Sequence, residues 1–306
     1  MASSNDLATA ASALVNPAAT APHPPLADSA PTQTQAQTDG CGTSEHGSGQ
    51  PAVARGALIV LEGLDRSGKT TQVKLLEQRF VELGRKVKVM RFPDRTTPIG
   101  QMIDSYLKSQ VEMDDHVIHL LFSANRWEAA NTITSLLSAG VTVLCDRYYY
   151  SGIVYSAAKQ NPTLTLCWAR APEVGLPRPD LVLFLDLDEN QAKARGGWGA
   201  EAYEKAEMQR RVRELFWGLS LGKIGTTTVI AEDGTVGPRE EVAVGPPTTQ
   251  PLTGVEYRFR QEEEDLHVID AGSSIEQVAE EVWRVVRARV EAVEKGEVGK
   301  VVRKVL

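Results

Sequence analysis

Eight contiguous residues, Gly63-Leu64-Asp65-Arg66-Ser67-Gly68-Lys69-Thr70, carry the spacing G-x-x-x-x-G-K-[ST]. The glycines let the backbone curl with its N–H groups inward. A helix opening at the end of the loop adds partial positive charge, so a nucleotide triphosphate can be held there. Lys69 then reaches the outer phosphates, and the Thr70 hydroxyl suits the Mg²⁺ that bridges them. Taken alone, the loop implies binding of nucleotide phosphates and leaves the reaction open.

A second set of residues asks for a second anion. Arg91 and Arg95 flank Phe92-Pro93, Arg126 follows Phe122-Ser-Ala-Asn, and Arg147 sits in Asp146-Arg147-Tyr148. In an open α/β sheet, ligands bind beyond the carboxyl ends of the strands, where Arg95 and Arg147 fall. Guanidinium forks match phosphate oxygens. Any one of these arginines alone reads first as a solvated surface charge. Beside the cradle, in a chain of net charge −7, the set favours a site for two phosphorylated ligands. Two apolar strands end in aspartate, Asp146 and Asp186, and either suits support of Mg²⁺.

These residues need a scaffold. The chain has 306 residues, 42% hydrophobic and 24% charged, enough for a sizeable α/β core. Short apolar blocks at Ala57–Glu62, Val87–Phe92, Val141–Asp146, Leu181–Asp186 and Leu266–Asp270 read as strands of a parallel sheet, covered on both faces. Helices are expected at Thr70–Leu83, with Val73, Leu76, Phe80 and Leu83 on one face, and at Asp114–Ser138 and Ser273–Val293. Gly84 and Gly140 separate helix patterns from the strands that follow.

The acidic balance argues against a protein that coats nucleic acid. No apolar run is long enough to span a bilayer. The three cysteines, Cys41, Cys145 and Cys167, show no C-x-x-C spacing, so no disulfide framework or structural zinc site is encoded and a reducing compartment fits. Cys145 and Cys167 read as small hydrophobes. Residues 1–54 contain no Lys or Arg and lack apolar periodicity, so they read as a disordered extension, unlike a transit peptide or secretory signal. A stretch from Leu221 to about Glu264 carries Gly, Pro and Thr clusters and a weak strand pattern at Thr226–Ala231. It reads as a surface excursion, a hairpin or a disordered insert.

Beyond the cradle, Leu61 to Gln72, Arg91-Phe-Pro-Asp-Arg95, Leu121-Phe-Ser-Ala-Asn-Arg-Trp127, Asp146-Arg-Tyr148 and Gly175-Leu-Pro-Arg-Pro-Asp180 together resemble the thymidylate kinase family, the eukaryotic form in particular. The likeness runs from about Gly56 to Val293, outside the excursion. It implies a P-loop three-layer α/β/α domain over residues 55–306, with a five-stranded parallel sheet and a mobile lid. The activity it implies is transfer of the ATP γ-phosphoryl group to dTMP, giving dTDP and ADP with Mg²⁺. A cytoplasmic enzyme, with the nucleus as a second location, and a homodimer through the long helices are implied in the same way, with no nucleic-acid or membrane partner.

Carried over by position, the resemblance assigns the donor to Gly63, Arg66, Ser67, Gly68, Lys69, Thr70 and Thr71. Arg195 stacks on adenine. Arg95 and Arg147 clamp the acceptor phosphate, Asp65 faces the sugar 3′-hydroxyl, Phe122 stacks on thymine and Arg126 bonds its carbonyl edge. Phe92, Pro93, Leu107, Ser151, Gly152 and Tyr155 complete the pocket, while Tyr203 and Gln209 approach it. For Phe122 and Tyr155 ordinary core packing is the alternative. Arg66 supplies the catalytic cation from within the cradle. The segment Arg195 to Tyr203 resembles a lid in which the basic residue expected near Ala202 is missing. Asp146, beside Arg147, is favoured over Asp186 for the metal.

The nearest rival is a nucleoside kinase, which needs a base beside the acceptor hydroxyl, and Asp94 is the obvious one. A regulatory GTPase would carry Asn-Lys-x-Asp, which the sequence lacks.

Overall fold

The computed structural model describes residues 54–188, 191–192, 195, 202–203, 205–221, 229–230, 236–237 and 265–306. In chain order the first elements are β1 (Leu58–Gly63), α1 (Lys69–Glu82), β2 (Val87–Arg91), α2 (Pro98–Leu107) and α3 (Asp115–Ser138). Next come β3 (Thr142–Asp146), α4 (Tyr149–Ala157), α5 (Leu166–Arg170), β4 (Leu181–Asp186) and α6 (Ala206–Ser220). The last are β5 (Val229–Ile230), β6 (Val236–Gly237), β7 (Leu266–Asp270) and α7 (Ile275–Glu294).

The main sheet has the order β2-β3-β1-β4-β7, with every neighbouring pair parallel. The crossover in strand order leaves β1 between β3 and β4, so the cradle that follows β1 opens beside the end of β3. Leu61 pairs with Asp146, and Arg91 pairs with Asp146 from the other side. Three chain segments distant in sequence therefore deliver their polar ends to one edge. The all-buried patterns of β1 and β3 explain their unbroken apolar sequences, whereas the outer strands β2 and β7 are only partly covered.

Strand alternation sorts the core into two layers. Leu58 and Val60 face a cluster containing Ile133 and Leu137 of α3, Tyr149 and Ile153 of α4, and Phe216 of α6. Phe184 of β4 stacks on Phe216 at 4.4 Å. Ile59 and Leu61 face α1 and α7, whose Val278, Val282, Val286, Val290 and Val293 form a buried stripe. Each fully buried valine contributes on the order of 1.5–3 kcal/mol. Five such residues outweigh the weak helix propensity of a β-branched run. α7 begins with a capping box of Ser274 and Gln277, and α2 with Thr97 accepting the Gly100 N–H ahead of Pro98.

The five expected strands are present, shifted by at most a residue at their ends, and Gly84 and Gly140 stop α1 and α3 with φ of 65° and 77°. Leu83 is a correction: it caps α1 in solvent, 55% exposed, so the buried face ends at Phe80. Cys167 is another, because it lies exposed on α5, while Cys145 is buried in β3 as expected. Asp265 is buried and takes Arg178 at 2.6 Å, with Arg303 at 3.1 Å and Arg289 at 3.4 Å.

Within the excursion, β5 and β6 pair antiparallel as a short hairpin. Apart from Leu221, its remaining residues, the extension at 1–53 and most of the lid segment lie outside the described residues. Among the described residues no helix is long and apolar enough to cross a membrane.

Candidate active site

Between β1 and α1 the chain turns through Arg66 at φ 67° and Gly68 at φ 94°. The left-handed conformation costs a non-glycine residue about 1–2 kcal/mol, and Arg147 at φ 67° repeats it in the facing loop. No side chain caps the start of α1, which leaves its N-terminal turn to a ligand. Lys69 is buried beneath the loop, and its Nζ donates to the Leu64 carbonyl at 2.5 Å. Burial, reinforced by Arg147, pushes its pKa down to about 7 against the pull of Asp65, Asp146 and Glu62.

Thr70 Oγ1 donates to Asp146 Oδ2 at 2.6 Å. A hydroxyl and a carboxylate in contact at the mouth of the cradle form the oxygen donor set that a hard divalent cation takes. Asp186 is committed elsewhere: both its oxygens accept from Arg213, at 2.6 and 2.7 Å. Arg195 closes the cradle from the β7 side, donating from Nη1 to the Arg66 carbonyl at 3.0 Å and from Nη2 to the Ala271 carbonyl at 2.9 Å. With Ser67, Thr71 and Gln72, these groups line a cleft of about 1260 Å³.

A second cleft of about 730 Å³ adjoins the first, and Asp65, Arg91 and Arg147 line both. At this junction Arg147 Nη1 donates to the Gly63 carbonyl at 2.9 Å and to Ser151 Oγ at 3.1 Å. Its Nη2 donates to Asp65 Oδ1 at 2.5 Å, and the guanidinium lies 5.3 Å over the Tyr155 ring. Burial pushes the Asp65 carboxyl up, but Arg147 and Lys69 together with the donors around it hold it below the usual carboxylate range. Gln209, buried in α6, donates to Asp65 Oδ2 at 3.0 Å and accepts the Asp65 N–H at 3.1 Å.

The walls of this second cleft include Phe92, Pro93, Leu107, the partly buried Phe122, Gly152, Tyr155 and Tyr203, with Tyr203 packed in the same apolar cluster as Leu107 and Phe122. Tyr203 packs on Tyr106 and Tyr155 at centroid distances of 5.9 and 5.5 Å. Arg95 reaches the cleft from the turn before α2, its Nη1 on Asp104 Oδ1 at 2.6 Å. Arg126 is buried and gripped from both Nε and Nη2 by the buried carboxylate of Glu173. Gly152 is glycine for that reason: a Cβ there would sit 2.6 Å from Arg126 Nη2.

The sequence-predicted acceptor residues thus converge on one cleft. Asp94 does not join them. Its Oδ1 accepts the N–H and hydroxyl of Thr96 at 3.0 and 2.6 Å, and it lines neither cleft at the junction. A base for a nucleoside hydroxyl is therefore missing at the position where the rival reading needs it. Of the lid segment, Arg195, Ala202 and Tyr203 are described and residues 196–201 are not.

Several partners were not foreseen. Glu173, 47 residues from Arg126, and Asp104, nine residues from Arg95, hold these arginines, and nothing in their local sequence marks them. His119 Nε2 faces the Ala169 carbonyl at 2.8 Å and so donates to it, which makes Nδ1 the acceptor of the Ser156 hydroxyl at 2.7 Å. Burial and Arg126 drive its pKa down to about 4, so the ring is neutral. Glu62 offered a signal, being a carboxylate that ends an apolar strand. It is fully buried.

A family model described as thymidylate kinase matches residues 61–235. The thymidylate kinase of Schizosaccharomyces pombe is 53% identical over 162 residues, covering 53% of this chain and 76% of that protein. That of Danio rerio is 51% identical over 162 residues with the same coverage of 53% and 76%. The Homo sapiens enzyme is 48% identical over 165 residues, covering 54% of this chain and 77% of the relative. Among solved structures, the thymidylate kinase of Candida albicans superposes with a TM-score of 0.59 at 32% identity, covering 78% of this chain and 94% of that one. The matched span contains the cradle, Asp146 with Arg147 and both clefts' arginines up to Arg195, so likeness in sequence and arrangement in space coincide. The chain belongs to the thymidylate kinase family.

Proposed function

We propose that this chain transfers the γ-phosphoryl group of ATP to the 5′-phosphate of dTMP, giving dTDP and ADP, with ATP in the Gly63–Thr70 cradle and dTMP in the adjoining cleft. The observation that carries this reading is the junction: Asp65, Arg91 and Arg147 line both clefts, so two phosphorylated ligands meet end to end there.

The acceptor is a phosphate monoester with a second pKa near ~6, so it arrives ionised and no protein base is required. The protein has to hold two mutually repelling anions in line and neutralise the charge of the migrating group. Arg147, fixed at the junction, and Arg95 hold the acceptor phosphate. Lys69 leaves the Leu64 carbonyl for the donor phosphates, and Arg66, in the cradle wall, is the catalytic cation. Phe122 stacks on thymine, Arg126 bonds its carbonyl edge, and Asp65 with Gln209 faces the sugar. Thr70 and Asp146 would hold Mg²⁺, which supplies charge neutralisation between the phosphates when bound. Arg195 packs against adenine where it bridges Arg66 and Ala271.

Replacing Phe122 by Ala tests the placement of the base. The KM for dTMP should rise by one to two orders of magnitude, for stacking worth about 1–3 kcal/mol, while the KM for ATP holds. An unchanged dTMP KM would return Phe122 to the core.

The exposed Val117, Leu120 and Trp127 along α3 support a homodimer through the long helices. A single 33.3 kDa species in light scattering would rule the dimer out. A chain starting at Arg55 is expected to turn over like the full-length protein, and a slower rate would give the extension a catalytic role.

A further inference from the structure

Glu62, next to last in β1, lies on the face that carries Leu58 and Val60, so it projects into the layer occupied by α4. A fully buried carboxylate is costly unless its oxygens are satisfied. Here Oε1 accepts the Tyr148 N–H at 2.9 Å and the Ser151 N–H at 3.1 Å, and Oε2 accepts the Ser151 hydroxyl at 2.5 Å. Tyr148 and Ser151 are the cap and third residues of α4, whose own cap residue supplies no side-chain bond. The donors a helix normally caps from within are thus met by a strand 86 and 89 residues away in sequence.

The Ser151 hydroxyl spends its hydrogen on Glu62 and therefore turns lone pairs outward, where Oγ accepts Arg147 Nη1 at 3.1 Å. Arg147 is also held by the Gly63 carbonyl and Asp65, both in the cradle loop. Gly63 ties it to the donor loop and Asp65 stands at the junction of the clefts, while the Ser151 hydroxyl bonds it from α4 on the acceptor side.

We infer that Glu62 is a positioning residue for the acceptor: through the Ser151 hydroxyl and the cap of α4 it aims the Arg147 guanidinium at the junction of the two clefts. The inference rests on the reading that Arg147 holds the acceptor phosphate. Glu62 touches no substrate, and its effect is confined to the half of the site that Arg147 serves. A glutamine in its place keeps one carbonyl oxygen for the backbone donors. Its NH₂ meets Ser151 Oγ as a second donor, which competes with Arg147 and removes the acceptor for the hydroxyl hydrogen.

The test compares Glu62→Gln, Ser151→Ala, their double variant and Arg147→Ala in full-length protein, reading KM for dTMP and for ATP separately. Ser151, only partly buried, keeps the comparison valid should the buried Glu62 substitution fold poorly. Each single relay variant should raise the dTMP KM about tenfold, as expected for one charge-assisted hydrogen bond, and leave the ATP KM within about twofold. The double variant should be no worse than the worse single, because both cut one relay. Multiplying effects in the double variant, or dTMP and ATP KM values that rise together, would reduce Glu62 to a general structural role. If Arg147→Ala raises the dTMP KM and Ser151→Ala and Glu62→Gln do not, the relay alone falls. If Arg147→Ala leaves it unmoved, the acceptor clamp fails and takes the relay with it.

Discussion

The two clefts that meet at Asp65 and Arg147 solve the same problem, holding a phosphate, with different materials. The donor cradle is main chain: a glycine loop and an uncapped helix start, with one buried lysine below. The acceptor cleft is side chain, and each of its principal arginines is already gripped by a carboxylate: Arg147 by Asp65, Arg126 by Glu173 and Arg95 by Asp104. Backbone donors carry only partial charge and need no counter-ion while empty. Guanidinium groups in an acidic protein bring full charges, and their orientation is set by whatever carboxylate holds them. A five-donor fork can keep its carboxylate and still present N–H groups to a ligand.

The contrast predicts that breaking a carboxylate on the acceptor side damages both folding and acceptor use. Glu173→Ala leaves the buried Arg126 uncompensated and should cost about 3–5 kcal/mol of stability, measured by denaturant unfolding. In the same variant the KM for dTMP should rise more than that for ATP. A stability loss near zero would show that Arg126 finds water or another partner, and would undo the contrast.

On the donor side the expectation is reversed. Lys69→Ala should lower kcat by about 10²–10³ with little loss of stability, because the variant removes a buried charge that folding has to desolvate. Unchanged kcat would remove Lys69 from the transferring phosphates.

A smaller effect sharpens the same difference. Lys69 has its pKa lowered to about 7 in the empty cradle. At pH 8 it is therefore largely neutral, and bound triphosphate favours its charged form, so ATP binding should take up protons at that pH. Calorimetry in two buffers of different ionisation enthalpy reads this directly. The sign for folding is consistent: the unfolded chain binds more protons between pH ~7 and ~10.5, so the contribution of Lys69 to stability of the empty protein rises with pH across that window. Binding of dTMP, whose arginines do not titrate, should show no comparable Lys69 signal. Equal uptake for both ligands would erase the distinction.

Legibility in the sequence follows the same divide. The cradle is contiguous, so Gly63 to Thr70 could be read from spacing, and the strands around it from unbroken apolar blocks. Arg95, Arg126 and Arg147 were legible as cations near strand ends and helix faces. As partners their carboxylates were not, because Glu173 lies 47 residues from Arg126 and reaches it only once α3 packs against the short 3₁₀ turn Ala171–Glu173 that follows α5. α2 and α4 were missed although Thr97-Pro98 marks the start of one. The other has no local cap at all and depends on Glu62. Leu83 and Cys167 misled for a simpler reason: apolar type at an element's end does not guarantee cover.

The most direct measurement of the two-anion junction is coupled ADP release with dTMP and with thymidine as acceptors, at equal ATP. Rapid turnover of dTMP and negligible turnover of thymidine is expected, since Arg95 and Arg147 await a phosphate and Asp94 stands away from the cleft. Preference for the unphosphorylated nucleoside would contradict a site built to bring two phosphates together.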